Sequence, residues 1–385
     1  MSSNTLTTLT NAASESGGET VAGSGTASGV TDTMSEPTAG DTTAAGSSTF
    51  DPFDCGNAVV NIPIVTPSVM LVLDKSGSMV ADPGGFWDHD QDPATPTITR
   101  WNSLYSVVDL IVNNFNNSMN LGAVLFPSKT AAGSYTEAAC TVGAAADVAV
   151  GGMNAAKILG AIPGALTDAT ALKGGTPATK GLKVGISELG KAPDDQPKFM
   201  IFVTDGAANC KENAIDLNDL FENYDEKVAE TVADALAMGI KTYVVGIDIS
   251  QTVSNDTKDG NPNSVNTYEK LNLVADAGGV ARPGAEKFYN TTNQEELQAA
   301  LQSISMQILS CVIDLTPTPV YPKDVDVAPY GKVQVKDCMT EDGWMYLPED
   351  PMKPGVLRIE LCGQACSDFQ MSGQLDIQYK CPGAP

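Results

Sequence analysis

The chain has one histidine, His89, a shortage of basic residues and no long apolar run. Each shortage removes a class of function. A lone imidazole does not furnish a zinc site of mixed Cys and His ligands, and neither a Gly-x-Ser-x-Gly elbow nor an ordered Ser, His and Asp set surrounds it. The 22 Lys and Arg residues meet 47 Asp and Glu, a formal net charge of -25, and form no cluster able to follow a phosphate backbone. Nucleic acid and anionic membrane surfaces are therefore not expected as partners. No segment approaches the roughly 20 apolar residues of a membrane span. The opening residues, MSSNTLTTLT, carry neither the basic nor the apolar part of a signal peptide. A Walker sequence is absent too, and Ser76 stands where an aspartate-nucleophile phosphatase would carry its second Asp.

Between Met1 and Thr49 there is no Lys, Arg or aromatic residue, and Ser, Thr, Gly and Ala dominate. Such a composition buries too little surface to offset chain entropy, so residues 1–54 are read as a disordered tether. It is similar to the spacers behind the lipid-anchored cysteine of bacterial surface lipoproteins, although no anchor cysteine precedes it. Eight cysteines follow, none in a CxxC pair. Scattered cysteines of this kind read as disulfide staples in an oxidising compartment, which places the protein outside the cell or on its surface and expects an export signal beyond this sequence.

From about Val59 to Ser310, strand-like and helix-like segments alternate, the pattern of a parallel sheet covered on both faces. The apolar runs Val69–Leu73, Leu121–Phe126, Lys198–Thr204 and Lys241–Ile247 are expected as buried strands, with a short strand at Phe288. Helices are expected at Trp101–Phe115, Asn154–Leu166, Pro177–Leu189, Tyr224–Met238, Tyr268–Ala277 and Gln294–Leu309, the last capped by Asn293. Beyond residue 311, prolines punctuate short alternating runs such as Lys332–Lys336, Val356–Glu360 and Gln374–Gln378. The fold class is thus α/β: a doubly wound, mostly parallel sheet over residues 55–311, followed by a small disulfide-rich antiparallel β module over 312–385.

Three segments carry chemistry. Asp74-Lys-Ser-Gly-Ser78 closes a buried strand with a carboxylate and two hydroxyls on alternate residues of one turn. Gly174-Gly-Thr-Pro177 offers the Thr176 hydroxyl at a helix entrance, and Val203-Thr-Asp-Gly206 places Asp205 at the end of another strand. Hard cations take such oxygens, and open α/β sheets gather ligands at the carboxyl ends of their strands.

In that order, DKSGS, GGTP and VTDG resemble the metal-ion-dependent adhesion site of von Willebrand factor A and integrin inserted domains, over roughly Val69 to Ser310. The resemblance implies that Asp74, Ser76, Ser78, Thr176 and Asp205 surround Mg²⁺, Mn²⁺ or Ca²⁺, directly or through water. It also implies that a carboxylate from a protein or polymer partner completes the shell, so that the domain binds rather than catalyses. An alternative within the same likeness is an assembly subunit comparable to the A-type domains of metal chelatase complexes.

The acidic loop Val80–Arg100 reads as a solvated loop, with Asp88, Asp90 and Asp92 as an open alternative for a second ion. Phe86 and Trp87 on it are expected either to rim the ligand site or to pin the loop. The resemblance brings the two ends of the A-type domain together, which pairs Cys55 with Cys311. The remaining expected pairs are Cys140 with Cys210 across adjoining loops, and Cys338 with Cys362 and Cys366 with Cys381 within the β module.

Overall fold

The computed structural model describes residues 58–60, 66–81, 84–338, 340–351, 353–372, 374–380 and 382. In chain order the strands and helices are β1 (Ala58–Val60), β2 (Ser68–Asp74), β3 (Phe86–Trp87), β4 (Ile98–Thr99), α1 (Arg100–Asn114), β5 (Asn120–Phe126), β6 (Val148–Gly151), α2 (Ala155–Ala161) and α3 (Ala178–Leu189). There follow β7 (Lys198–Thr204), α4 (Leu217–Glu222), α5 (Lys227–Ala237), β8 (Ile240–Ile247), α6 (Thr267–Ala277), β9 (Tyr289–Thr291) and α7 (Gln294–Ile308). The last elements are β10 (Val312–Asp314), β11 (Val325–Ala328), β12 (Gly343–Tyr346), β13 (Arg358–Cys362), α8 (Gln364–Ser372) and β14 (Asp376–Tyr379).

The principal sheet runs β6-β5-β2-β7-β8-β9, parallel throughout except for β6. Its strands are apolar on consecutive residues because both faces are covered. Val69, Leu71 and Leu73 of β2 pack with α1 and α7, while Met70 and Val72 pack with α3, α5 and α6. Each such side chain contributes about 1.5–3 kcal/mol on burial. Helix starts follow local chemistry. Thr99 accepts from the Asn102 amide to cap α1, and Asn293, the cap expected from the sequence, accepts from the Glu296 amide to cap α7.

The expected strands and helices of this region are present, the short strand expected at Phe288 lying just beyond it as β9, with these differences besides the β3–β4 hairpin. The second helix stops at Ala161 rather than Leu166, because Ile162 precedes Pro163 and takes the extended backbone that a following proline demands. A separate short helix, α4, precedes α5, and the expected segment around Tyr224 begins its helix only at Lys227. The antiparallel edge strand β6 was not legible as a strand, since Val148-Ala-Val-Gly151 is too short to show a period.

The C-terminal elements form two small antiparallel sheets, β1-β14-β11 and β10-β13-β12, around Trp344, Ile359, Leu361, Phe369 and Ile377. β1 therefore pairs with the end of the chain, in register Ala58 to Tyr379. The run Lys332–Lys336 is not a strand. Val333 is 81% exposed, so its alternation has no face to bury. In contrast, α8 lies where no helix was expected.

Cys140–Cys210 and Cys338–Cys362 are bonded as expected. Cys311 is bonded to Cys366, which corrects both the Cys55–Cys311 and the Cys366–Cys381 pairings. The physical reason is that α8 packs under the tail of α7: Gln370 Nε2 donates to the carbonyls of Met306 (2.8 Å) and Leu309 (2.6 Å). Cys55 and Cys381, like residues 1–54, lie outside the described residues. Among the described residues, no helix is long and apolar enough to cross a membrane.

Candidate metal centre

The strand order places β2 between β5 and β7, so the chain winds outward from β2 in both directions and opens a crevice at its carboxyl end. Such a switch point is where open α/β sheets place ligands. Asp74 is the last residue of β2 and Asp205 the first after β7, two strands in parallel register.

The turn after β2 folds back over these carboxylates. Asp74 accepts from the Ser76 amide (2.8 Å) and from the Thr204 hydroxyl (2.7 Å). The hydroxyls of Ser76 and Ser78 lie 2.9 Å apart, and Ser78 donates to Asp205 Oδ1 at 2.8 Å. Four of the five expected ligands are thus joined in one hydrogen-bonded cluster. Thr176 is brought alongside by its loop, because the Gly77 amide donates to Gly174 O at 3.2 Å. The Thr176 amide itself donates to Asn209 Oδ1 at 2.5 Å.

Both glycines of Gly174-Gly-Thr-Pro177 are required. Gly174 has φ +104°, and a Cβ there would stand 2.8 Å from Ala139 O and Pro127 Cγ; one on Gly175 would stand 2.7 Å from Asn209 Oδ1 and Cys210 Sγ. The Cys140–Cys210 disulfide thereby backs the Thr176 loop. Lys75 reinforces it from the other side: its fully buried ammonium reaches the carbonyls of Lys173 (3.2 Å) and Ala171 (3.4 Å). Burial pulls the Lys75 pKa down to about 8, with Asp74 acting in the opposite direction.

Two buried carboxylates in one crevice make an electrostatically costly arrangement. Burial first, and then the charge of Asp205, push Asp74 up to about 7, against the hydrogen bonds from Thr204 and Ser76. Asp205 is also raised by burial, a shift that the Arg100 guanidinium opposes. Arg100 is a site residue that the sequence does not point to: Nη1 lies 3.2 Å from Asp205 Oδ2, and Nη2 lies 2.6 Å from Asp248 Oδ2. Thr204, Asn209 and Lys75 are others.

The raised pKa sets a sign. A carboxyl that holds its proton more tightly when folded than its unfolded value of about 3.9 stabilises the fold below that value, and the contribution is lost as pH rises through about 7. In a chelator, the melting temperature of the wild type is expected to fall by several degrees between pH 5 and pH 8, and that of Asp74→Asn to fall less, since Asp205 remains raised by burial. Differential scanning calorimetry in EDTA checks this; a level or rising wild-type profile would contradict it.

Around the centre, β3 and β4 form a hairpin that splits the expected pair of aromatics. Trp87 is 4% exposed and donates to Ser103 Oγ at 3.0 Å, so it pins the hairpin and is no rim; Phe86 is 40% exposed. Asp88, Asp90 and Asp92 each accept from the amide two residues on, at 3.4, 3.0 and 2.9 Å, and Asp90 also takes the Thr95 hydroxyl. Their oxygens serve the turns of a solvated loop. Among the described residues, no group of three or more His, Cys, Asp or Glu side chains is arranged to hold a metal. The cluster at Asp74 and Asp205 has two carboxylates and draws its other oxygens from hydroxyls.

No protein-family profile matches the chain, and no curated protein matches it in sequence. Solved structures do. It is similar to the pilus adhesin SpaC from Lactobacillus rhamnosus GG (15% identity, TM-score 0.44, over 82% of this chain and 39% of that one). It is similar to the conserved hypothetical protein BatB from Bacteroides thetaiotaomicron (16%, 0.39, over 62% and 97%). It is also similar to the PilB minor pilin from Streptococcus sanguinis (19%, 0.39, over 64% and 62%). The chain thus spans well under half the length of SpaC.

Proposed function

We propose that this protein is a von Willebrand factor A-like binding module, displayed outside the cell, that captures an acidic group of a protein or polymer through a divalent ion. Asp74, Ser76, Ser78, Thr176 and Asp205 would hold the ion. The observation that carries the reading is the pair of buried carboxylates, Asp74 and Asp205, linked through the Ser76 amide and the Ser76 and Ser78 hydroxyls at the carboxyl ends of β2 and β7.

The donor set fits a hard cation. It is all oxygen, its two charges match a divalent ion, and it supplies too few ligands to saturate Mg²⁺ or Mn²⁺, which leaves a position for an exchangeable donor. Ca²⁺ accepts the same donors with more of them from solvent. When bound, the ion supplies a Lewis-acidic point that takes a carboxylate oxygen. The protein's own part is positional: the turn after β2 and the Thr176 loop are held by Lys75, Gly77 and the Cys140–Cys210 bond before any ligand arrives. The reading is one of binding and not catalysis. The three disulfides among the described residues support an exported module over an assembly subunit of a reducing compartment.

The test is capture of an Asp- and Glu-rich peptide on immobilised protein with Mn²⁺, beside the same peptide with its carboxyls amidated. Retention of the free acid alone, lost on adding EDTA, is the expected result. Equal retention of both peptides, or retention that survives EDTA, would overturn it.

A further inference from the structure

Arg100 opens α1, with its first turn facing the crevice and its side chain only 12% exposed. A cation is the wrong charge for a helix N-terminus, where the unpaired amides already present positive potential. Its placement therefore rests on what the guanidinium meets. That is a pair of carboxylates from two strand ends: Asp205 after β7 and Asp248 after β8. Its Nε is buried without a hydrogen-bond partner, so the fork is committed through its two terminal nitrogens alone.

Asp205 is consequently shared. Oδ1 takes the Ser78 hydroxyl and Oδ2 takes Arg100. The charged groups facing this carboxylate are Asp74, which repels it, and Arg100, which does not. Asp248 is about half exposed and is answered in part by solvent. We propose that Arg100 is a resident cation that competes with the divalent ion for Asp205, holding the two-carboxylate crevice together without metal and lowering the affinity with which metal enters.

The inference rests on the metal-binding reading above and concerns how that site is regulated. Two cations that share one carboxylate in a poorly hydrated crevice repel each other, and each weakens the other's hold. Removing the guanidinium charge leaves both carboxylates to the ion. Arg100→Gln is thus expected to bind Mn²⁺ about tenfold or more tightly than the wild type. Its metal-free form should melt several degrees lower in EDTA, and recover on adding Mn²⁺. Arg100→Lys keeps the charge but cannot fork between Asp205 and Asp248, so its affinity is expected between the two.

The measurement is free Mn²⁺ by electron paramagnetic resonance during titration of the three proteins, with circular dichroism confirming the fold of each. The expected order of affinity is Arg100→Gln, Arg100→Lys, wild type. If the wild type binds Mn²⁺ and Arg100→Gln binds it no more tightly, the competition is wrong and the metal site stands. If folded wild type and both variants leave millimolar Mn²⁺ free, the metal site itself is wrong and the competition falls with it. Should Arg100→Gln fail to fold, Arg100→Lys decides alone, and affinity no higher than wild type overturns the proposal.

Discussion

Asp205→Ala is expected to lower the affinity for Mg²⁺ or Mn²⁺ by about a hundredfold or more. Loss of a residue that merely orients a ligand costs about 10–100-fold in comparable sites. Here the substitution removes a ligand candidate and half of the negative charge. The fold should survive. Asp205 lies beyond the end of β7, so the packing of Phe199, Met200, Ile201, Phe202 and Val203 is untouched, and Arg100 keeps Asp248. Without metal the variant should be no less stable than the wild type, since Asp74 loses the like charge that, after burial, raises it. Isothermal titration of both ions into both proteins measures this. Equal affinities would remove Asp205 from the site, and the proposed mode of binding with it.

Trp101→Ala is expected to cost about 3–5 kcal/mol of folding stability, the usual range for emptying a large aromatic site in a core. Trp101 has no exposed surface and packs in the cluster shared by α1, α7 and the sheet. It also holds the loop leading to Thr176, because its indole N–H donates to the carbonyls of Pro163 and Gly164, both at 3.2 Å. Trp101→Phe separates the two roles: it keeps most of the packing and leaves those carbonyls without the donor, for about 1–2 kcal/mol. Urea unfolding of the three proteins gives the comparison. A loss below about 1 kcal/mol for the alanine variant would contradict the packing described here.

The principal sheet was legible in the sequence because its strands are buried on both faces. Continuous apolar runs such as Phe199–Val203 have no other economical reading, and the chemistry-bearing residues stand at their ends. Asp74, Ser76, Ser78 and Asp205 could be read off for that reason. Arg100 could not, since its partner lies 105 residues further along the chain. A local signal was nonetheless present, in a basic residue directly after the helix cap Thr99. For Trp87 the sequence leaves open a ligand rim or a pin for its loop, and only the hairpin with β4, which turns it inward, decides for the pin. In the small C-terminal sheets, strands of three to five residues carry too little period to separate Lys332–Lys336, which pairs with nothing as a strand, from Arg358–Cys362, which does.

The pairing of β1 with β14 has a mechanical consequence. Tension arriving from the N-terminal side enters the described structure at Ala58–Val60, whose backbone is laid antiparallel against Ile377–Tyr379 over three residue pairs. The next strand along the chain is β2, which ends on Asp74. Because Ala58 faces Tyr379, the outer ends of the two strands lie side by side, so tension between the flanking segments loads this ladder one pair at a time; β11 braces it, as do α8 and the Cys311–Cys366 bond at the tail of α7. The ladder thus stands between a pull on the N-terminal side and β2, the strand that ends on Asp74.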